Sequence, residues 1–212
     1  MRRILTERHA DAATMPQAFP GEAKVGLMIF LAAIAVAVVY VVMTYNGLVN
    51  VKHAVSKAWA NIDVLLKQRH DEIPKLVEVC KQYRQFEQET LEKVIRARSL
   101  VQDAREKQDI GALGPAEAMM RSSLGTLFAV AEAYPELKTN ENFMQLQMRI
   151  TQLESAIADR RELYNEAVNI NNVRIEQFPD LIVARLGSFP TAKLLDFAAN
   201  EKTDVDMKAL FS

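Results

Sequence analysis

The chain has 212 residues, of which 50% are hydrophobic and 25% charged, and its formal net charge is -1. A chain of this length can bury a real core, and 7 Gly with 7 Pro are too few for a β-sandwich, a β-barrel or a disordered protein. The balanced charge gives no basic excess for nucleic-acid binding, and the single cysteine, Cys80, excludes an internal disulfide or a cysteine metal cluster. The dominant residue types are good helix formers, which predicts an all-α protein.

The N-terminal end combines a polar segment with a long apolar one. Residues 1–24 are polar and contain Pro16 and Pro20, which predicts a flexible tail. The next 19 residues, 25–43, contain no charged or strongly polar side chain. At about 1.5 Å per residue they span roughly 28 Å, close to the roughly 30 Å hydrocarbon thickness of a bilayer. We therefore predict a transmembrane helix over residues 25–43.

Two alternatives to this membrane anchor are a buried core helix and a cleaved signal peptide. A core helix rarely runs for so long without a polar face, and the sequence TYNGLVN after the apolar segment offers no cleavage site. The orientation stays open, because residues 1–24 and residues 44–69 each contain four Lys or Arg residues. The side of the membrane on which the C-terminal domain lies is therefore not predicted.

Beyond residue 43 the apolar residues follow helical spacing. The first stripe has a 3-4-3-4-3 pattern and consists of Leu48, Val51, Val55, Ala58, Ile62 and Leu65. No Gly or Pro lies between Leu48 and Pro74, so this helix is predicted to leave the membrane without a break. Pro74 disfavours helix at Ile73 and predicts a kink or a new helix there. That second helix is predicted to run to about Lys107.

Two further long helices follow. Residues 110–115, IGALGP, are predicted to form a loop, with a third helix from about Pro115 to Ala133. Gly125 is predicted to permit a close contact between helices. A fourth helix of about 35 residues begins near Asn140, and its predicted apolar stripe is Phe143, Leu146, Ile150, Leu153, Ile157, Leu163, Val168 and Val173. Together these elements predict an antiparallel bundle of about four long helices over residues 44–187.

Residues 129–143, AVAEAYPELKTNENF, are predicted to form the turn between the third and fourth helices. Pro135 ends one helix, and Asn140 caps the next with Glu141 in its first turn. Three apolar side chains would fix the turn to the end of the bundle: Tyr134, Leu137 and Phe143. An additional role as a contact surface stays open, since the turn also contains Glu132, Lys138 and Asn142.

The C-terminal part differs from the bundle. The pairs Phe178-Pro179 and Phe189-Pro190 delimit an apolar stretch, residues 181–186, which is predicted to cross the bundle as a short helix or an extended strap. Residues 188–212 are predicted to form a C-terminal tail. Within it, residues 194–211 alternate apolar and acidic clusters, which is typical of a weak amphipathic helix or a partner-binding tail.

No residue pattern predicts a catalytic centre. The histidines His9, His53 and His70 have no metal-ligand spacing, and His70 beside two acidic residues is typical of a solvated helix end. The sequence contains no GxSxG and no P-loop, and Cys80 lies on an apolar stripe, as a small buried residue would.

The chain contains numerous carboxylates, among them Glu87, Glu89, Glu92, Glu132, Glu154 and Asp159. They do not form the paired Glu-x-x-His motifs that bind metal in four-helix di-iron proteins. Glu87 and Arg98 are predicted to form an internal ion pair or to lie at the boundary of the core. The sequence supplies almost no inward-facing carboxylate or histidine. We therefore predict no catalytic, cofactor-binding or metal-binding residue, no cofactor and no enzymatic activity.

Three stretches resemble the LemA family of bacterial single-pass membrane proteins. Residues 45–83 are similar to the family's Tyr-Asn-x-Leu-Val, Ala-Trp-x-x-Ile-Asp-Val and Asp-x-Ile-Pro-x-Leu-Val segments, residues 129–143 to its Ala-Glu-Ala-Tyr-Pro motif, and residues 163–179 to its third motif. The resemblance covers about residues 45–187. The chain departs from the family at Phe86, where His is frequent, and at Asn171, where the loss of a second Tyr implies a lost aromatic contact.

The resemblance implies a short tail, one anchor in a bacterial inner membrane and an antiparallel helical domain. It implies no reaction, although a subset of the family associates with magnetosome membranes. The leading hypothesis is a membrane-anchored scaffold or interaction protein, whose partners are the lipid bilayer and further copies of itself. The alternatives are an accessory subunit that docks a membrane protease or transporter through residues 188–212, and a hydrolase or metal-dependent enzyme built inside the bundle.

Overall fold

A computed structural model describes residues 20–83 and 86–196. All regular secondary structure within these ranges is helical, which confirms the all-α prediction. The helices in chain order are α1 (Pro20–Lys81), α2 (Gln88–Glu106), α3 (Ile110–Ala131), α4 (Pro135–Lys138), α5 (Glu141–Glu176) and α6 (Asp180–Leu186).

The chain divides into two compact units, with the boundary between Met43 and Thr44. In the first unit every side chain from Lys24 to Met43 is exposed. Its length and composition make α1 the one helix among the described residues that could cross a membrane.

In the second unit, side chains from five helices form one hydrophobic core. The largest fully buried ones include Ile62, Ile73 and Leu76 of α1, Leu113, Met120 and Leu127 of α3, and Phe143 and Ile150 of α5. Leu91 and Val94 of α2 and Leu137 of α4 belong to the same core. A smaller cluster joins Leu48 of α1 to Ile175 of α5 and to Val183 and Ala184 of α6.

The predicted start of a new helix at Pro74 is wrong, because α1 continues through Pro74 to Lys81. A proline inside a helix lacks the N–H that would bond to the carbonyl four residues earlier, here that of His70. Arg98 of α2 supplies the missing donor, because its Nε donates to the His70 carbonyl oxygen at 3.0 Å. The orphaned acceptor is thereby satisfied, and the helix can continue.

The first helix ends instead at Lys81, and α2 begins at Gln88. Tyr83 and Phe86, which follow α1, contact a segment that is distant in the sequence. The ring of the buried Phe86 lies 5.3 Å from that of Tyr134, and the Tyr83 hydroxyl donates to the Glu136 carbonyl and accepts from Asn140 Nδ2. These partners lie about fifty residues further along the chain, so no local pattern reveals them.

The predicted loop at residues 110–115 is also wrong, since α3 begins at Ile110. Asp109 caps this helix, accepting hydrogen bonds from the backbone N–H groups of Gly111 and Ala112 at 3.0 and 3.2 Å. These two bonds satisfy N–H groups of the first turn, so the helix can begin at Ile110 in spite of the Gly and Pro residues that follow. Gly125, predicted to permit a close helix contact, is exposed, and a Cβ there would meet no atom within 4 Å.

The turn predicted at residues 129–143 is present. Helix α3 ends at Ala131, a four-residue helix, α4, follows from Pro135, and Asn140 caps α5 by accepting from the Phe143 N–H at 3.1 Å. Leu137 and Phe143 are buried, and Tyr134 packs against the same core. Within α5, the predicted stripe fails at Leu163 and Val173, which are exposed, and Tyr164 is buried instead.

After α5 the short apolar stretch forms α6, in agreement with the first of its two predicted forms. Residues 189–196 then continue without regular secondary structure, and we call them the strap. The strap lies within the predicted C-terminal tail, and its Leu195 belongs to the main core. The rest of that tail, residues 197–212, and the N-terminal residues 1–19 lie outside the described ranges.

Candidate functional site

A cluster of charged side chains lies in the interior, at the meeting point of three helices. Arg69 of α1 is only 1% exposed, and its Nη1 and Nη2 lie 2.5 Å from Glu154 Oε1 of α5 and Glu117 Oε1 of α3. Arg121 of α3 extends the cluster outward, with Nε 3.5 Å from Glu154 Oε2. We call Arg69, Glu117, Glu154 and Arg121 the charge cluster.

The charge cluster is held by its own electrostatics. Burial lowers the pKa of Arg69, but the charges of Glu117 and Glu154, together with the hydrogen bonds that they accept, outweigh burial and leave that pKa raised. Such a site is costly to assemble, because each ion must lose its water, and it is costly to break, because one partner would remain buried and uncompensated. The guanidinium therefore ties α1, α3 and α5 together at one level of the core.

This cluster corrects the expectation that the interior carries almost no carboxylates, because Glu117 is buried and Glu154 nearly so. The sequence does contain a signal for Arg69. It continues the helical spacing of the buried residues Ile62, Leu66, Ile73 and Leu76. Glu117 lies in the same way between Leu113 and Met120. A charged residue on an apolar stripe is a candidate for a buried ion pair.

His70 lies beside the cluster and does not form the predicted solvated helix end. It is partly buried within the C-terminal part of α1, and Arg98 Nη2 approaches its Nε2 at 2.5 Å. Since a guanidinium only donates, Nε2 accepts and the imidazole is neutral. Burial and then the Arg98 charge lower the pKa of His70. Arg69, His70, Arg98 and Met120 line one small recess.

The remaining candidate residues are not brought together. His53, Glu89, Glu92 and Asp159 are exposed, and His9 lies outside the described ranges. The predicted ion pair of Glu87 with Arg98 is wrong, because Glu87 is exposed and accepts from Thr90 Oγ1, whereas Arg98 contacts His70. No group of three or more metal-ligating side chains occurs among the described residues.

Cys80 is fully buried, as predicted, and burial raises the pKa of its thiol to about 12. The thiolate, which is the nucleophilic form, is therefore scarce at neutral pH.

In the turn between α3 and α5, Lys138 forms an ion pair with Glu132, and both side chains are well exposed.

A second polar site lies where the strap crosses α5. Asn172 Nδ2 donates to the Ala192 carbonyl, and Asn172 Oδ1 accepts from the Ala192 N–H, both at 2.9 Å. Asn165 makes the same pair of bonds to Leu195, at 3.0 Å to the carbonyl and 2.8 Å from the N–H. Each amide thus binds a strap residue as a neighbouring β-strand would. We call this part of the surface the asparagine groove.

The spacing in the asparagine groove matches a helix to an extended chain. Asn165 and Asn172 lie seven residues apart, or about 10.5 Å along a helix. Ala192 and Leu195 lie three residues apart, or about 10 Å in an extended chain. The strap therefore runs nearly fully extended and in the opposite direction to α5.

Three further side chains of α5 complete the groove, and each of them donates a hydrogen bond to the strap's main chain. The Tyr164 hydroxyl donates to the Lys193 carbonyl at 3.0 Å, Asn171 Nδ2 to that of Pro190 at 3.5 Å and Arg161 Nη2 to that of Asp196 at 3.5 Å. Gly114 of α3 lets the strap pass close, because a Cβ there would lie 3.1 Å from the Asp196 carbonyl oxygen. A hydrogen bond of ordinary length, such as that of the Tyr164 hydroxyl, contributes about 0.5–1.5 kcal/mol net.

This groove was not predicted from the sequence. The resemblance to the family implied only a lost aromatic contact at Asn171, whereas Asn171 and Asn172 both bind the strap. The available signal was the repetition of asparagines in LYNEAVNINN, two helical turns apart. This repeat of asparagines forms a binding site only when an extended segment lies across the helix.

The chain is similar to two known proteins over less than half of its length and to a third over most of its length. Two magnetosome proteins of Paramagnetospirillum magneticum, MamQ 1 and MamQ 2, are each 33% identical over 88 residues, which is 40% of this chain and 32% of theirs. The chain thus matches about a third of the length of these relatives. Protein LemA of Metamycoplasma hominis is 25% identical over 186 residues, covering 87% of this chain and 83% of the relative.

Fold and sequence together define the class. The molecule is an all-helical protein with one N-terminal helix that could cross a membrane by length and composition. Residues 58–208 match the LemA family, and the chain belongs to that family. The family is uncharacterised and is not a known enzyme family, so membership assigns no reaction to the charge cluster or the groove.

Proposed function

We propose that this protein is a membrane-anchored helical interaction protein that self-associates and takes part in membrane organisation. The observation that carries the proposal is the run of exposed apolar side chains from Val25 to Met43. In water such a surface is strongly unfavourable, at about 25 cal/mol per Å² of apolar area. A bilayer would remove that cost.

The proposal assigns one role to each segment. Residues 1–24 are a tail, residues 25–43 the single membrane span, residues 44–187 an antiparallel helical bundle and residues 188–212 a C-terminal tail. The bacterial inner membrane is the proposed location. Resemblance to proteins named as magnetosome proteins supports a role at a membrane. Anchoring would confine the copies to two dimensions and raise their local concentration, which favours self-association.

The charge cluster supports an interaction role over a hydrolytic one. A general base needs a carboxylate that is free to take a proton, within reach of a substrate. Both oxygens of Glu154 face guanidinium groups, and Glu117 is buried against Arg69. These carboxylates are engaged in holding helices together.

Membrane anchoring is tested by extracting cell membranes at alkaline pH. The wild-type chain should stay in the membrane pellet, whereas the double variant Ile34→Lys/Val38→Lys should move to the soluble fraction. A lysine at the centre of a span costs about 2.5–3.5 kcal/mol. The matched control Ile95→Lys/Met148→Lys changes exposed apolar residues outside the span and should stay in the pellet. A wild-type chain in the soluble fraction would contradict the anchor.

Self-association is tested by co-expressing two full-length copies with different N-terminal tags and purifying through one tag in mild detergent. The proposal predicts that the second tag is retained and that light scattering gives a mass above that of a single chain. A monomer at every concentration would refute it.

A further inference from the structure

The strap is bound as a ligand would be, through its main chain. Among the described residues, seven hydrogen bonds join side chains of α5 to the strap, and each of the seven involves a backbone group of the strap. The side chains contribute at three positions: Leu195 is buried in the main core, Ala192 is partly buried against it, and Phe189 packs against the smaller cluster, with its ring 5.6 Å from that of Tyr45. Lys193 and Leu194, between them, are exposed.

This pattern defines what the asparagine groove accepts. Amides that pair with both the N–H and the carbonyl of one residue recognise an extended backbone and are indifferent to its side chain, as in strand addition to a sheet edge. The buried positions then add a requirement for a small side chain and, three residues later, a larger apolar one. The groove therefore fits an extended segment of the form Ala-x-x-Leu.

The connection to the strap is short and contains an unusual conformation. Between α6 and the strap lie Gly187 and Ser188, and Ser188 has φ +52°, in the left-handed region that side chains disfavour. Rotation about these two residues would release the strap and leave the helices packed. Exchange of an identical segment through such a hinge is a low-cost route to association.

We propose that the asparagine groove is an interaction site whose partner is the strap of a second copy of this chain. The inference rests on the proposed self-association and supplies its mechanism. The strap of a second copy has the same backbone spacing and the same Ala192 and Leu195 anchors, so it satisfies each contact that the chain's own strap makes. Copies anchored in one membrane would exchange straps with their neighbours.

The test uses two full-length copies, co-expressed with different tags. The first carries a benzophenone amino acid at position 193, where the side chain is exposed and the backbone carbonyl accepts the hydrogen bond from Tyr164. After purification through both tags in mild detergent and irradiation, the products are separated by mass and mapped by mass spectrometry. Strap exchange predicts a covalent product between the two copies, with the link in α5 of the second copy between residues 161 and 172.

Matched variants of the second copy test the groove itself. Asn165→Asp/Asn172→Asp keeps the shape and the acceptor oxygen but loses the donors to the strap carbonyls, and should reduce the inter-copy product at least fivefold. Asn169→Asp makes the same change at an exposed position of α5 and should leave the yield unchanged. Circular dichroism verifies that each variant keeps its helices. If the double variant does not fold, Leu195→Asp in the first copy tests the same contact from the strap side.

The outcomes separate the two proposals. If the copies purify together but every link from position 193 lies within the first copy, strap exchange is wrong and self-association stands. If the copies do not purify together, both proposals fail. An inter-copy product that the Asn169→Asp and Asn165→Asp/Asn172→Asp variants affect equally would also overturn strap exchange.

Discussion

The charge cluster and the asparagine groove both consist of polar side chains, but they differ in what those side chains bind. In the cluster, Arg69 is enclosed by Glu117 and Glu154 with almost no exposure, so none of the three can separate without leaving a buried charge. In the groove, neutral amides bind a backbone that water could also satisfy. The charge cluster therefore fixes the helical domain, whereas the asparagine groove holds a segment that can leave it.

The largest expected effect comes from breaking the charge cluster. Arg69→Met leaves Glu117 buried without a counter-ion and should lower the free energy of unfolding by about 3–5 kcal/mol. Chemical denaturation of the detergent-solubilised protein measures this. Arg69→Met/Glu117→Met removes both charges and should recover most of the loss.

Arg121→Ala is the control for that experiment, since Arg121 is 40% exposed at the rim of the cluster. A surface pair contributes about 0–1 kcal/mol, so this change should be small. An effect of Arg69→Met as small as that of Arg121→Ala would mean that the cluster does not fix the helices.

The next effect concerns the bond that permits Pro74 inside α1. Arg98→Leu leaves the His70 carbonyl without its donor and should cost about 1–3 kcal/mol. In a Pro74→Ala background the restored N–H can donate to that carbonyl, so the same Arg98→Leu change should cost clearly less. A double-mutant cycle measures the difference. Equal costs in the two backgrounds would show that Arg98 acts in another way.

A smaller effect is expected from pH. The pKa of His70 is lowered in the folded state by burial and by Arg98, with Arg105 adding to this and Asp71 and Glu106 opposing it. The unfolded chain therefore binds the proton more readily, and stability is complete above the unfolded pKa of about 6.5 and declines as pH falls below it. The slope is at most about 1.4 kcal/mol per pH unit.

His70→Gln should remove this part of the decline between pH 7 and pH 5, measured by thermal unfolding. His53→Gln, at an exposed position of the same helix, is the control and should retain it. Identical pH profiles for the wild type and His70→Gln would contradict the lowered pKa.

The smallest expected changes in stability come from replacing two glycines of α3. Gly125→Ala adds a Cβ in open space and should stabilise the protein by about 0.5–1 kcal/mol, since Ala favours helix. Gly114→Ala has the same intrinsic benefit, but its Cβ would crowd the Asp196 carbonyl of the strap at 3.1 Å. It should gain less stability and should expose the strap to proteolysis. Equal gains would mean that the strap does not lie against α3.

Local chemistry allowed much of the fold to be predicted. The apolar run at residues 25–43, the cap at Asn140 and the turn around Pro135 are signals within a few residues, and the helix and turn they predict are present. The errors at Pro74 and at the end of α1 share one cause. There a partner from a distant segment decides the outcome: Arg98 for the helix that continues, Tyr134 and Asn140 for the one that stops.

The two polar sites were harder to predict for the same physical reason. Arg69 and Glu117 interrupt apolar stripes, which marks each as unusual but does not say that they meet. Asn165 and Asn172 are ordinary helix-surface residues until a strap with unpaired backbone groups lies across them. Periodicity gives the buried face of each helix, and the pairing between faces requires the tertiary structure.

Hydrogen exchange of the full-length protein in detergent tests the contrast between the two sites most directly. The strap amides of Ala192 and Leu195 should exchange at least about tenfold faster than the α1 amides around Arg69, because the strap opens locally while the charge cluster opens only on global unfolding. Asn172→Leu should accelerate exchange in the strap alone, and Arg69→Met should accelerate it throughout the helical domain. Strap amides that exchange at the same rate as those around Arg69 would contradict a strap that can leave its groove.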